Sequence, residues 1–175
     1  DLSDGSLILA EKKYEVNGEK CFYFSELFLE CRAPLSQKSK LDIVTRAVDQ
    51  VAKKYYGDED AQKKMEIKDI ICNELEEQGE IKVSELREKV FPGSPEMLEE
   101  LDEKLDRYNL SYETVAPKNE QTIKKFQKQK LYTDTGIEIT IPMEEYRNPD
   151  HVEFITNMDG TISVLIKNIG MLSSK

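Results

Sequence analysis

The sequence predicts an α+β fold, with antiparallel strands drawn from both chain ends and an acidic helical segment between them. Three observations predict it. β-Branched and aromatic runs flank Asn17-Gly18 near the start and Asp159-Gly160 near the end, dipeptides whose backbones suit tight hairpin turns. Between these runs, apolar residues recur every three or four positions, the period of helices that bury one face. Charge is also segregated along the 175 residues, whose net charge is −10. Residues 1–57 are neutral, residues 58–113 carry eighteen acids against eight bases, and residues 114–130 carry Glu120 against five lysines. Three regions follow: a β-hairpin region over 1–35, a helical segment over 36–113, and a basic helix plus C-terminal β-hairpin over 114–175. The last region is expected to share one sheet with the first, because an isolated hairpin is marginal in water.

LILAEKKYEV and KCFYFSELFLECR form the first hairpin, and the broken alternation at Ser25-Glu26 suggests a bulge. Pro34 ends the segment. Ser39 is the expected N-cap of a helix whose stripe is Leu41, Val44, Val48, Val51 and Tyr55, stopped by Gly57. A second helix is expected from about Glu59 to Gln78, with Met65, Ile67, Ile70, Ile71 and Leu75 inward. Ile81 and Val83 read as a short extended piece, and Ser84 as the cap of a small helix carrying Leu86 and Val90. Ser94 and Pro95 open a longer helix with Leu98, Leu101, Leu105 and Tyr108 in line.

That order resembles a helix-turn-helix, and charge tests the idea. Pro95 to Arg107 has six acids against two bases, the wrong sign for a helix entering a groove walled by phosphates. The helix reads as an amphipathic one with an acidic, solvated face.

Asn119 is expected to cap a further helix, EQTIKKFQKQKLY. Lys118 precedes it, and Lys124, Lys125, Lys128 and Lys130 make this the one basic stretch of the chain. Such lysines are either a solvated face with snorkelling stems or a stripe that follows a phosphate backbone without reading bases. Strand character returns after Asp134-Thr135-Gly136, where Ile137, Ile139 and Ile141 alternate up to Pro142. MEEYRNPD crosses to the final hairpin, with Val152, Phe154 and Ile155 leading in and Ile162, Val164 and Ile166 leading out. Its alternation predicts that one face is buried, and Asp159-Gly160 is expected to supply left-handed turn residues. The tail reads as frayed.

Several classes are disfavoured. No segment approaches the roughly 20 apolar residues of a membrane helix, and nothing resembles a secretory signal. Cys21, Cys31 and Cys72 form no CxxC, and with the single His151 they make a zinc site improbable. No phosphate-binding glycine loop, dinucleotide fingerprint or HExxH is present. His151 reads as a strand-start residue. No catalytic residue, metal or cofactor is expected, and the chain reads as non-enzymatic.

The string GIEITIPMEEYRNPDHVEFITNMDGTISVLIKNI resembles the C-terminal signature of the bacterial nucleoid-associated protein family. That pattern has a Gly-Ile-x-Ile strand ending in Pro, then Tyr-x-x-Pro-Asp, then a hairpin carrying Asn157, Asp159-Gly160-Thr161 and Lys167-Asn168-Ile169. EVNGEKCFYFSELFLEC followed by LSQKSKLDIVTRAV is similar to the middle of the same family. With Asp1 in place of an initiating Met, the chain is read as roughly the C-terminal half of a longer protein. The resemblance implies a cytoplasmic, nucleoid-associated, DNA-binding architectural protein. Within it Asn157, Asp159, Gly160, Lys167 and Asn168 are scaffold. Lys118, Lys124, Lys125, Lys128 and Lys130 are the residues expected to meet phosphates, with self-association a further expectation. The alternative is a non-catalytic interaction or dimerisation module whose DNA contacts lie elsewhere. A carboxylate-bound metal hydrolase is a third class with no residue pair to support it.

Overall fold

A computed structural model describes residues 11–16, 19–22, 24, 28, 35–57 and 60–173. The chain divides into two compact units, Asp1–Ser36 and Gln37–Lys175.

In the first unit, β1 (Lys13–Val16) pairs antiparallel with β2 (Glu19–Phe22), in register from Lys13↔Phe22 to Val16↔Glu19. The register leaves two residues between the strands, as a two-residue hairpin loop requires. The turn residues Asn17-Gly18 and the expected bulge at Ser25-Glu26 lie outside the described residues.

The second unit opens with α1 (Gln37–Tyr56), which begins two residues before the predicted cap, so Ser39 lies inside it. Leu41, Val44, Ala47, Val48, Val51 and Ala52 are its buried face. Tyr55, in the last turn of α1, is exposed under the Lys54 ammonium, 5.3 Å from the ring centroid. Gly57, at φ +83°, ends the helix and donates from its N–H to the Lys53 carbonyl at 3.0 Å. This is a conformation in which a Cβ is penalised.

α2 (Ala61–Glu77) is capped by Asp60, whose side chain accepts from Lys63 N–H at 2.9 Å. β3 (Ile81–Lys82), α3 (Val83–Val90) and α4 (Pro95–Asp106) follow, and β4 (Thr114–Val115) returns to pair with β3. Ser84 is inside α3, whose cap position is Lys82, while Ser94 takes the predicted cap position of α4. α4 buries Met97, Leu101 and Leu105, and Tyr108, just past its end, is exposed. These elements close one core around Leu41, Val48, Ile71, Ile81, Phe91, Leu101 and Leu110.

The remaining chain forms α5 (Glu120–Lys124), the hairpin β5 (Lys128–Tyr132) and β6 (Glu138–Pro142), α6 (Met143–Tyr146), and the hairpin β7 (Val152–Thr156) and β8 (Ile162–Ile166). A second core of Met65, Cys72 and Met143 ties this part to α2, with Phe126, Leu131, Tyr146 and Phe154 packed around it. Arg147 reinforces the junction by donating to Asp69 at 2.6 Å and Glu76 at 3.0 Å, both on α2.

Among the described residues the strands form four separate two-stranded pairs, β1–β2, β3–β4, β5–β6 and β7–β8. None of these pairings joins strands of 1–35 to strands of 114–175, the single sheet expected of them. The support an isolated hairpin needs comes, for β7–β8, from α6: Tyr146 meets Phe154 edge-on at 6.0 Å. Val152 is buried and Phe154 and Val164 half-buried, while on the same face Ile162, next to the turn, and Ile166, opposite Val152 at the open end, are exposed. The expected burial of one whole face therefore fails at both ends of β8.

Both C-terminal hairpins turn in the same way. Gly136 N–H donates to Thr133 O at 3.1 Å and Gly160 N–H to Asn157 O at 3.0 Å, each glycine at positive φ (+89° and +85°). This is a three-residue loop closed by a left-handed glycine. The prediction is corrected in one respect: Asp159 is not left-handed, and Gly160 alone supplies that conformation.

Candidate functional site

The predicted basic helix is mostly not a helix. Asn119 caps it, its side chain accepting from Gln121 N–H at 2.8 Å, and α5 then ends at Lys124 after five residues. The chain turns through Lys125 to Gln127, with Phe126 N–H donating to Ile123 O at 2.9 Å, because Phe126 packs against both cores at once. From Lys128 it is extended in β5, where Gln129 and Leu131 face inward and Lys128, Lys130 and Tyr132 face water. A helix would keep Lys124, Lys125 and Lys128 on one face and turn Lys130 away. The turn and strand bring all four to one side.

Those four lysines line one open depression of about 450 Å³, together with Gln129, Thr140 and Lys68. Lys118, on the exposed segment before α5, is not among the lining residues. Lys68 was not expected here, since it lies on α2 within the most acidic stretch of the sequence. Its ammonium donates to the Lys128 carbonyl and to Gln129 Oε1, both at 2.7 Å, stitching α2 to β5. Burial pushes the Lys68 ammonium below its ordinary range, and Asp49 opposes that shift. Lys124 has Glu120 at 3.6 Å in a fully solvated pair, a contact worth little.

A second concavity of about 400 Å³ shares Lys68 and Gln129 with the first and lies between α1, α2 and β5. Its floor is Ile67, Ile71 and Phe126, and Thr45 and Asp49 stand on the α1 side. Burial pushes the Asp49 carboxyl above its ordinary range, against the charges of Lys68 and Lys64.

The acids lie elsewhere. Glu96, Glu99, Glu100 and Glu103 of α4 surround Lys54, Lys104 and Arg107. Glu100 accepts from Lys54 at 2.5 Å, and Arg87 pairs with Asp102. The α4 surface is thus acidic and laced by ion pairs, whereas the depression beside β5 gathers five lysines, of which Lys124 has the solvated pair with Glu120.

In the final hairpin, Asn157 Nδ2 donates to Thr161 Oγ1 at 2.8 Å and Ser163 Oγ at 3.0 Å. Asp159 accepts from the Thr161 backbone at 2.9 Å and from its hydroxyl at 2.6 Å, which holds its carboxyl below the usual range. Lys167 donates to the Pro149 carbonyl at 3.1 Å and pairs with Glu153, and Asn168 Nδ2 donates to the Asp150 carbonyl at 3.0 Å. Asn157, Asp159 and Gly160 thus close the turn, and Lys167 and Asn168 tie the end of the hairpin to the segment before it.

Among the described residues no group of three or more His, Cys, Asp or Glu side chains could hold a metal. His151 pairs through Nδ1 with Glu145 at the start of β7. Burial, with Glu76 nearby, pushes the Cys72 thiol up to about 11, so it is no thiolate near neutrality. No helix among the described residues is long and apolar enough to cross a membrane. The arrangement suits an anion: the ammonium groups of several lysines gather on one open concave surface.

A family model described as nucleoid-associated protein YejK matches residues 5–171. No curated protein and no solved structure gives a significant match.

Proposed function

This chain belongs to the nucleoid-associated protein YejK family, and from that premise we propose that it binds DNA through phosphate contacts at the lysine depression. Lys124, Lys125, Lys128 and Lys130 meet the backbone, and Lys68 joins them from α2. The observation that carries the reading is their convergence on one concave surface in a chain of net charge −10. A protein this acidic repels a polyanion over most of its surface, so a local cationic site also fixes how the duplex is oriented. Phosphate contacts position a protein on the duplex without reading its bases, so binding is expected to be architectural and largely indifferent to sequence. The role is one of a cytoplasmic binding protein with no catalytic step.

The test is retention of a labelled duplex across a salt series. Each phosphate neutralised contributes about −0.9 to the slope of log K against log salt, so four to five contacts give a slope near −4. A slope near zero, or no retention, removes the reading.

A second reading has an observation of its own. Ile155, Ile162, Leu165 and Ile166 of the last hairpin, with Ile169, Met171 and Leu172 beyond it, are exposed. Ile162 and Ile166 stand on one face of the hairpin and Ile155 and Leu165 on the other, and apolar residues exposed in this number suit an interaction or dimerisation module. Concentration-dependent mass without DNA retention would favour it over the first.

A further inference from the structure

We infer that the concavity beside the lysine depression accepts an unpaired nucleobase carrying hydrogen-bond donors, so that the site prefers single-stranded nucleic acid over duplex. This rests on the phosphate-binding reading above and adds a second chemistry to it. The two hollows share Lys68 and Gln129, so a strand lying on the lysines passes the mouth of the inner one. At about 400 Å³, with Ile67, Ile71 and Phe126 as floor, the inner hollow has the size and apolar lining of small-molecule sites. Duplex DNA has no base to place there; a single strand does. Single-strand binders combine these two features, a cationic track for the backbone and an apolar or aromatic surface for bases.

The polar groups of the hollow narrow the choice of base. Gln129 is engaged at both ends of its amide, accepting from Lys68 and donating to the Lys130 carbonyl at 3.1 Å. Thr45 spends its hydroxyl proton on the Leu41 carbonyl at 2.9 Å. Asp49 shares the hollow with the ammonium groups of Lys53, Lys64 and Lys68, and Lys68 and Lys64 act on it through charge. An ionised carboxylate only accepts, so Asp49 favours a base edge with adjacent N–H donors. Guanine has one and thymine has a single N–H. Lys68, with two of its three protons used internally, keeps one for a neighbouring oxygen.

The experiment measures anisotropy of labelled oligo-dT, the same strand with one central guanine, and a duplex, using the whole chain and its Asp49→Asn variant. The guanine strand is expected to bind about tenfold more tightly than oligo-dT, the scale of one good two-point base contact. In the variant this preference disappears while duplex affinity does not fall. Excess deoxyguanosine monophosphate, but not thymidine monophosphate, abolishes the guanine preference of the wild type. Salt-dependent duplex binding with no strand or base preference, unchanged by Asp49→Asn, overturns the inference and leaves the phosphate site standing. Absence of all binding removes both.

Discussion

Arg147→Met would cut the ionic bridge that holds the C-terminal part against α2. The guanidinium donates to Asp69 at 2.6 Å and to Glu76 at 3.0 Å. Hydrogen bonds to charged groups are each worth about 1.5–3 kcal/mol when buried. Here the side chains of Arg147, Asp69 and Glu76 are 31%, 21% and 33% exposed, so solvent screens part of this. A total loss of about 2 kcal/mol is expected, or a fall in Tm of roughly 4–8 °C for a chain of this size. The pH dependence makes the prediction specific. Against the upward push of burial, hydrogen bonds from Arg147 and Gln127 hold the Glu76 carboxyl below its usual range. A depressed carboxyl contributes stability that is complete above its unfolded value near 4.5 and is lost as pH falls through the folded value. The wild-type advantage should therefore be constant from pH 6 to 7.5 and shrink below pH 4.5. Urea melts of both proteins across that range measure it. An equal deficit at every pH, or none at neutral pH, would refute the bridge as a stabilising contact.

Three further outcomes are expected. Gly136→Ala and Gly160→Ala should each cost about 1–2 kcal/mol in urea melts, from left-handed strain alone, because a Cβ at either site meets nothing within 4 Å. Cys72, its thiol pushed up to about 11, should resist thiol reagents at pH 8 in the folded protein, as peptide mapping would show. Because an unfolded thiol ionises near 9.0, the stability contributed by neutral burial is full below pH 9 and should drain as pH rises toward 11, read by melts along that range.

Much of the helical part was legible because its packing is local in pattern. The stripe Leu41, Val44, Val48 and Val51 follows from spacing, and α1 buries these residues. Tyr55 continues the same line, but it stands in the last turn of α1, where it is exposed. The basic stretch misled for a different reason. Ile123 and Phe126 sit three apart and suggest a helix, and KQKLY does not itself alternate; only EITIP, beyond the turn signal Asp134-Thr135-Gly136, alternates polar with apolar and needs a partner strand. That need was the available signal for β5–β6, and strand pairing outweighed helix propensity. Lys68 was invisible to any linear charge count. It lies 60 residues from Lys128 in an acidic neighbourhood and joins the site only through folding. The hairpin turns were legible from Gly136 and Gly160, whereas alternation along β8 gave no sign that Val164 alone of its apolar face would be half-buried while Ile162 and Ile166 stay exposed.

The central claim is that ammonium groups beside β5 hold a phosphate backbone. Its most direct test compares duplex binding across a salt series by the whole chain and by a variant with Lys124, Lys125, Lys128 and Lys130 changed to Gln. The account predicts salt-sensitive binding by the wild type and a variant that is folded, binds weakly, and has lost about 0.9 of slope for each contact removed. Equal affinity and equal slope in the two proteins would contradict it.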